Sequence, residues 1–275
     1  MVHGFRGNHL GLLKIIDGLQ DYHVIVPDLP GYGVSTPMTE CRHDVAGYGA
    51  FIKALIAELR LDRPVLLGHS FGSIIAAHVA ATAPELVGDL ILVSPIAVSP
   101  RAGANRVFLT LVEGYYWLGS HLPEPLAQRV LGSRTYARLM TVTLAKTRER
   151  QTRRAIYRHH LGDLEFEQHG RVIAESFPDS IGKAAADEAE AISQRTLLIA
   201  GDKDALSPVK YQRRLHERLA ESTLVLVPGV GHLVHMETPS EAAGTIVDFL
   251  GGSSPGRADR QAPDSATTRS YSVTN

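Results

Sequence analysis

The chain has 275 residues, 44% of them apolar and 21% charged, with a formal net charge of −1 at pH 7. Those proportions are ordinary for a globular protein and supply no global field that would gather nucleic acid or a membrane surface. A single cysteine, Cys41, excludes an intrachain disulfide and a cysteine-built metal cluster.

The first residues, MVHGFRGNHLGLL, lack a basic region followed by a long apolar core, so they do not read as a secretory leader. No run approaches the ~20 continuous apolar residues of a membrane span. The expected location is cytoplasmic. Five short runs then read as strands: HVIVPD (His23–Asp28), VLLGHS (Val65–Ser70), LILVSP (Leu90–Pro95), TLLIAGD (Thr196–Asp202) and TLVLVPG (Thr223–Gly229). They are nearly continuous in Val, Leu and Ile, the mark of parallel strands buried on both faces. Segments such as Ala46–Leu61 and Pro208–Leu219 carry apolar residues at helical spacing. Strands alternating with helices predict a doubly wound α/β fold with a mostly parallel sheet.

The alternation breaks between Pro95 and Ser193, where only helix-like stretches rich in Leu, Ala, Tyr and Arg occur. So long a connection is not a crossover loop. It predicts a helical insertion, residues 95–193, between the two parts of a core formed by 1–94 and 194–250. Arg101 to Arg171 contain twelve Lys and Arg against six Asp and Glu. That excess reads as the solvated face of helices or, as the functional alternative, as attraction for an anionic substrate. Tyr115, Tyr116 and Trp117, with Leu109, Leu111 and Leu118, are either a wall for a hydrophobic substrate or packing within the insertion. The last stretch, residues 251–275, is dominated by Gly, Ser, Pro, Asp and Thr and reads as a disordered tail.

Gly68-His69-Ser70-Phe71-Gly72 directly follows one buried strand and directly precedes a helix. A Gly-x-Ser-x-Gly pattern alone is weak, but this context predicts a strained turn that lifts Ser70 Oγ above the C-terminal edge of the sheet. A serine nucleophile needs a base, and the base needs an orienting acid. His232 lies beside Gly231 on the loop after the last strand, with His235 as its rival three residues on. The strand TLLIAG ends in Gly201-Asp202-Lys203-Asp204, offering two acids at the same edge. The chain order serine, acid, histidine fits Ser70, Asp204 and His232.

These segments, with His3-Gly4-Phe5, PDLPGYGVS (Pro27–Ser35), GDKDALSP (Gly201–Pro208) and GVGHLVHMETP (Gly229–Pro239), resemble the α/β-hydrolase superfamily from residue 2 to about 250. The resemblance implies Asp204, the last position of Gly-x-x-Asp, as the acid. It implies backbone N–H groups of Phe5 and Phe71 as the oxyanion hole, and the insertion as a cap over the substrate. It further implies a serine esterase acting on a small to medium hydrophobic carboxylic ester, through an acyl-enzyme and without metal or organic cofactor. A carbon–carbon bond hydrolase or a thioesterase would use the same triad. A non-catalytic or truncated member of the fold is the alternative from another class. The partner implied is a small ester-type molecule, with no nucleic acid and no integral membrane segment.

One departure from the family matters. Its members carry strands leading into His-Gly, and one of these lies in mid-sheet, whereas this sequence reads Met1-Val2-His3-Gly4. Without that strand, His23–Asp28 and Val65–Ser70 would flank unpaired backbone groups, each costing ~1–3 kcal/mol when buried. The expectation is therefore that N-terminal strands are missing and that Met1 is an internal or misassigned start, with rearranged strand pairing as the alternative.

Overall fold

A computed structural model describes residues 1–103, 106–164, 166 and 169–251. The expected tail therefore lies outside the described residues from 252 onward. Among the described residues four strands, β1 (Leu66–His69), β2 (Leu90–Val93), β3 (Thr196–Gly201) and β4 (Ser222–Val227), pair side by side in that order. Every pairing is parallel and in continuous register, for example Leu66 with Leu90, Leu90 with Thr196, and Thr196 with Ser222.

The helices follow in chain order. Before β2 come α1 (Leu13–Ile16), α2 (Val45–Glu58) and α3 (Phe71–Thr82). Between β2 and β3 lie α4 (Pro100–Gly103), α5 (Arg106–His121), α6 (Glu124–Leu131), α7 (Arg134–Leu144), α8 (Arg150–Asp163) and α9 (Gly170–Gly182). After β3 come α10 (Val209–Arg218), α11 (Val234–Glu237) and α12 (Pro239–Gly251). No described helix is long and apolar enough to cross a membrane.

The alternation of side chains along each strand explains the near-continuous apolar runs. Leu90 and Leu92 of β2 join Leu66 and Leu198 in a core shared with α2 and α3. Ile91 and Val93, one residue out of phase, join Leu67, Leu197 and Ile199 in a second core against α1 and α12. Both faces of the sheet are thereby covered. Asp44 caps α2, its carboxylate accepting from Gly47 N at 2.9 Å.

One expectation is corrected. His23–Asp28 is not a strand, although its composition is strand-like. A strand exists only with a ladder partner, and between this segment and β1 lie only Met1 and Val2. Val2 forms a single parallel bridge to Gly68, donating to Leu67 O at 2.7 Å and accepting from His69 N at 3.0 Å. On the other side the Met1 amine donates to Ile25 O at 2.6 Å, and no ladder follows. Ala185, Ala186 and Ala189 of a 3-10 turn (Ala185–Ala191) are buried in the cluster that holds α3.

Glycine is required where backbones touch. A Cβ on Gly201 would lie 2.3 Å from both Gly231 O and Val230 O, pressing the end of β3 into the following loop. Gly244, exposed on α12, has nothing within 4 Å of the same position. Gly201→Ala is therefore expected to lower stability by ~2 kcal/mol, the usual range for overpacking. Gly244→Ala should raise it by ~1 kcal/mol through helix propensity. Denaturant unfolding of the two variants checks the pair, and equal effects would contradict this packing.

Candidate active site

β1 ends at His69, and the next residue turns sharply. Ser70 has φ 53° and ψ −119°, a left-handed backbone that is strained for any residue with a Cβ. The glycines on either side make the turn possible. A Cβ on Gly68 would lie 2.3 Å from Gly72 O, and one on Gly72 would lie 2.3 Å from Val2 O. Ser70 N donates back to Val93 O at 3.1 Å, which anchors the turn to β2.

The structure brings three of the expected side chains together. His232 Nε2 lies 2.8 Å from Ser70 Oγ, and His232 Nδ1 lies 2.7 Å from Asp204 Oδ2. An ionised carboxylate only accepts, so Nδ1 carries the proton and donates to Asp204, leaving Nε2 to accept from the serine hydroxyl. The other carboxylate oxygen, Asp204 Oδ1, accepts from Leu206 N at 2.8 Å and Ser207 N at 3.2 Å. Asp204 and His232 are 4% and 2% exposed, so their contact is shielded from water. Asp202, the competing acid, turns away and accepts from Gly229 N at 2.7 Å. His235 does not reach Ser70; its ring stacks obliquely on His69, with centroids 3.8 Å apart.

Phe5 and Phe71 both line the pocket over Ser70, and among the described residues neither backbone N–H has a protein acceptor. The peptide that carries the Phe5 N–H is held by its carbonyl. Gly4 O accepts from His3 Nδ1 at 2.9 Å and from Gly7 N at 3.0 Å. His3 Nε2 in turn accepts from Leu29 N at 2.9 Å, which sets the tautomer. Burial pushes the His3 imidazole down to about 4, so it stays neutral in this role.

Residues between β2 and β3 also position the histidine loop, a link absent from the expectations above. His232 N donates to Leu144 O at 3.0 Å, at the end of α7. Glu237 bridges the same two segments. Its Oε1 accepts from Gly231 N at 3.0 Å, and its Oε2 accepts from Lys146 N at 2.9 Å and Thr147 N at 2.5 Å. The sign available in the sequence was an acid closely following a Gly-His loop.

The cavity above Ser70 has a volume of about 220 Å³. Of the aromatic run expected either as wall or as packing, Tyr116 lines it, together with Leu109, whereas Tyr115 and Trp117 do not. Trp117 and Leu111 are 63% and 70% exposed. Tyr115 stacks on the Tyr136 ring, with centroids 5.1 Å apart. Arg6, also missed in the sequence, is buried beside the cavity with its guanidinium 4.6 Å from the Tyr136 ring and donating to Leu131 O at 2.7 Å. Among the described residues no three His, Cys, Asp or Glu side chains converge as a metal site.

Comparison with known proteins agrees with this architecture. Residues 1–239 match the alpha/beta hydrolase fold family, and the chain belongs to it. It is 26% identical to the uncharacterized hydrolase YugF of Bacillus subtilis, an alignment covering 90% of this chain and 88% of that one. It is 24% identical to the 2-hydroxy-6-oxo-2,4-heptadienoate hydrolase of Pseudomonas putida over 82% of this chain and 78% of that one. Among solved structures, a thermophilic esterase from Thermogutta terrifontis superposes with a TM-score of 0.72 at 23% identity, covering 91% of this chain and 88% of that one. The esterase of Exiguobacterium antarcticum gives 0.73 at 18% identity, covering 91% of each chain. The chain is a hydrolase of this family by these relationships.

Several buried histidines set a pH dependence. Burial lowers His159 and His160 to about 4, as it does His3, from an ordinary value of 6.5. The unfolded chain takes up these protons below pH 6.5 and the folded state does not, so acid favours unfolding. Their contribution is fully present above pH 6.5 and is lost as pH falls toward 4. Asp163 opposes them, because burial raises it from 3.8 to about 7, but it is one group against these three. The urea midpoint should therefore fall between pH 7 and pH 5, with a shallower slope in His159→Gln. A midpoint that rises on acidification would contradict this assignment.

Proposed function

We propose that the protein is a serine hydrolase that cleaves a carboxylic ester through Ser70, His232 and Asp204. The observation that carries this reading is the continuous hydrogen-bonded chain from Ser70 Oγ through both nitrogens of His232 to Asp204, at 2.8 and 2.7 Å. In this mechanism His232 Nε2 takes the hydroxyl proton as Oγ attacks the carbonyl carbon. Asp204 holds the imidazole tautomer and stabilises the imidazolium. The N–H groups of Phe5 and Phe71 receive the developing oxyanion, each worth ~3 kcal/mol by analogy with other enzymes. His232 then returns the proton to the departing alcohol, and water, deprotonated by the same nitrogen, attacks the acyl-enzyme. A cavity of about 220 Å³ walled by Leu109, Val112, Phe177 and Ile181 suits a small to medium hydrophobic ester.

A second reading has one observation in its favour. The relative from Pseudomonas putida is named as a 2-hydroxy-6-oxo-2,4-heptadienoate hydrolase, and the compound of that name contains no ester bond to hydrolyse. The same serine and histidine would serve that reaction.

Steady-state hydrolysis of p-nitrophenyl acetate and butyrate, set beside a vinylogous 1,5-diketone acid, tests both readings. The ester reading expects turnover of the esters that falls by ~10⁴-fold or more in Ser70→Ala, and by ~10⁴-fold in Asp204→Asn, which forces the wrong tautomer. Turnover of the diketone acid alone would move the assignment to carbon–carbon cleavage. Ester turnover undiminished in Ser70→Ala would overturn the mechanism.

A further inference from the structure

The charge of the chain is unevenly placed. From Arg134 to Arg158 there are eight Lys and Arg and one acid, Glu149, a local charge of +7. The whole chain carries −1, so all the other residues together carry −8. The segment comprises α7, most of α8 and the turn between them, and all eight basic residues are exposed. Arg101, Arg171, Arg195 and Arg218 each hold a carboxylate at 2.8 to 3.0 Å. Among the described residues none of the seven arginines from Arg134 to Arg158 has an ion-pair partner. Unmatched cations on two packed helices repel one another, a cost that an anionic surface would relieve.

Helix rotation separates this charge from the reaction site. On α7, Tyr136, Met140, Thr143 and Leu144 line the cavity above Ser70, and on α8, His159, His160 and Asp163 do so. The outward faces meet in an open groove lined by Arg138, Thr141, Val142, Arg153, Arg154 and Tyr157. None of these six lines the cavity, so the groove does not extend the substrate site.

Two apolar side chains stand among the arginines. Val142, in the groove, is 54% exposed, and Leu139, three residues earlier on the same helix, is 46% exposed. A nucleic acid backbone gives them nothing to enter. The headgroup layer of a bilayer does, since apolar groups reach the acyl boundary while guanidinium groups stay at the phosphates. Clusters of ~4–8 basic residues on such helices are the features that anionic lipid attracts.

We propose that the outer face of α7 and α8 docks on an anionic lipid surface. Arg138, Arg153 and Arg154 meet the headgroup phosphates, and Val142 and Leu139 enter between them. Docking is independent of the reaction at Ser70, although the same two helices also wall the cavity.

Flotation of the full chain tests this with vesicles of phosphatidylcholine, alone or with ~30% phosphatidylglycerol. Binding is expected to the mixed vesicles only, and to disappear at ~0.5 M salt, where the attraction is screened within a few ångströms. Arg138→Gln, Arg153→Gln and Arg154→Gln together should weaken partitioning about 100-fold, each charge being worth about fivefold near such a surface. The corresponding triple Lys variant should retain binding, and neither triple should lose thermal stability, because these side chains are exposed and unpaired. Leu139→Asn with Val142→Asn should weaken partitioning about tenfold at unchanged charge. No binding to the mixed vesicles, or equal binding to both kinds, would overturn the proposal. Binding that survives the triple Gln variant within a few-fold would overturn it too. Unchanged affinity in the Asn pair, or retention of a double-stranded DNA oligonucleotide but not of vesicles, would overturn the lipid assignment.

Discussion

The structure turns on the backbone of one residue. Ser70 holds φ 53° and ψ −119° between β1 and α3, and it does so because Gly68 and Gly72 let strand, turn and helix approach within a distance that a Cβ would fill. Such a conformation costs on the order of 1–3 kcal/mol and persists only when its surroundings over-determine it. Three features do so: α3 is buried along nearly its whole length, Ser70 N is tied to Val93 O, and Ser73 Oγ donates to Ser70 O at 2.5 Å. The strain sets the hydroxyl above the sheet edge and leaves the Phe71 N–H at the cavity without an acceptor among the described residues.

From that point the site is assembled by loops of very different origin. β3 delivers Asp204, the loop after β4 delivers His232, and the N-terminal segment delivers Phe5. The stretch between β2 and β3 is tied to them by hydrogen bonds. Leu144 O at the end of α7 receives the His232 N–H, and Glu237 ties Gly231 to Lys146 and Thr147. A shift of α7 would therefore move the imidazole as well as the roof of the cavity. That links the position of α7 to the geometry of the serine–histidine pair through hydrogen bonds.

Much of this was legible in the sequence for physical reasons. Four strands announced themselves because burial on both faces demands unbroken Val, Leu and Ile. The turn at Ser70 was legible because its glycines stand at the positions where a Cβ cannot. His23–Asp28 misled because composition reports burial and not pairing: without a neighbouring ladder the same residues run as irregular chain. Asp204 and Asp202 were inseparable by composition, since both follow β3, and only the direction of each side chain divides them. Tyr116 and Trp117 are adjacent in α5, yet one lines the cavity and the other faces solvent, a distinction set by helix rotation. The contact of the His235 ring with His69 was illegible, because it joins residues 166 positions apart in the chain.

The central claim is that Ser70 is an activated nucleophile in an assembled site. Intact mass of the 275-residue protein after exposure to a fluorophosphonate, with the modified peptide identified by fragmentation, tests it most directly. A single adduct on Ser70, absent from Ser70→Ala and strongly slowed in Asp204→Asn, is the expected result. A folded protein that takes no adduct, or takes it elsewhere, would contradict the claim.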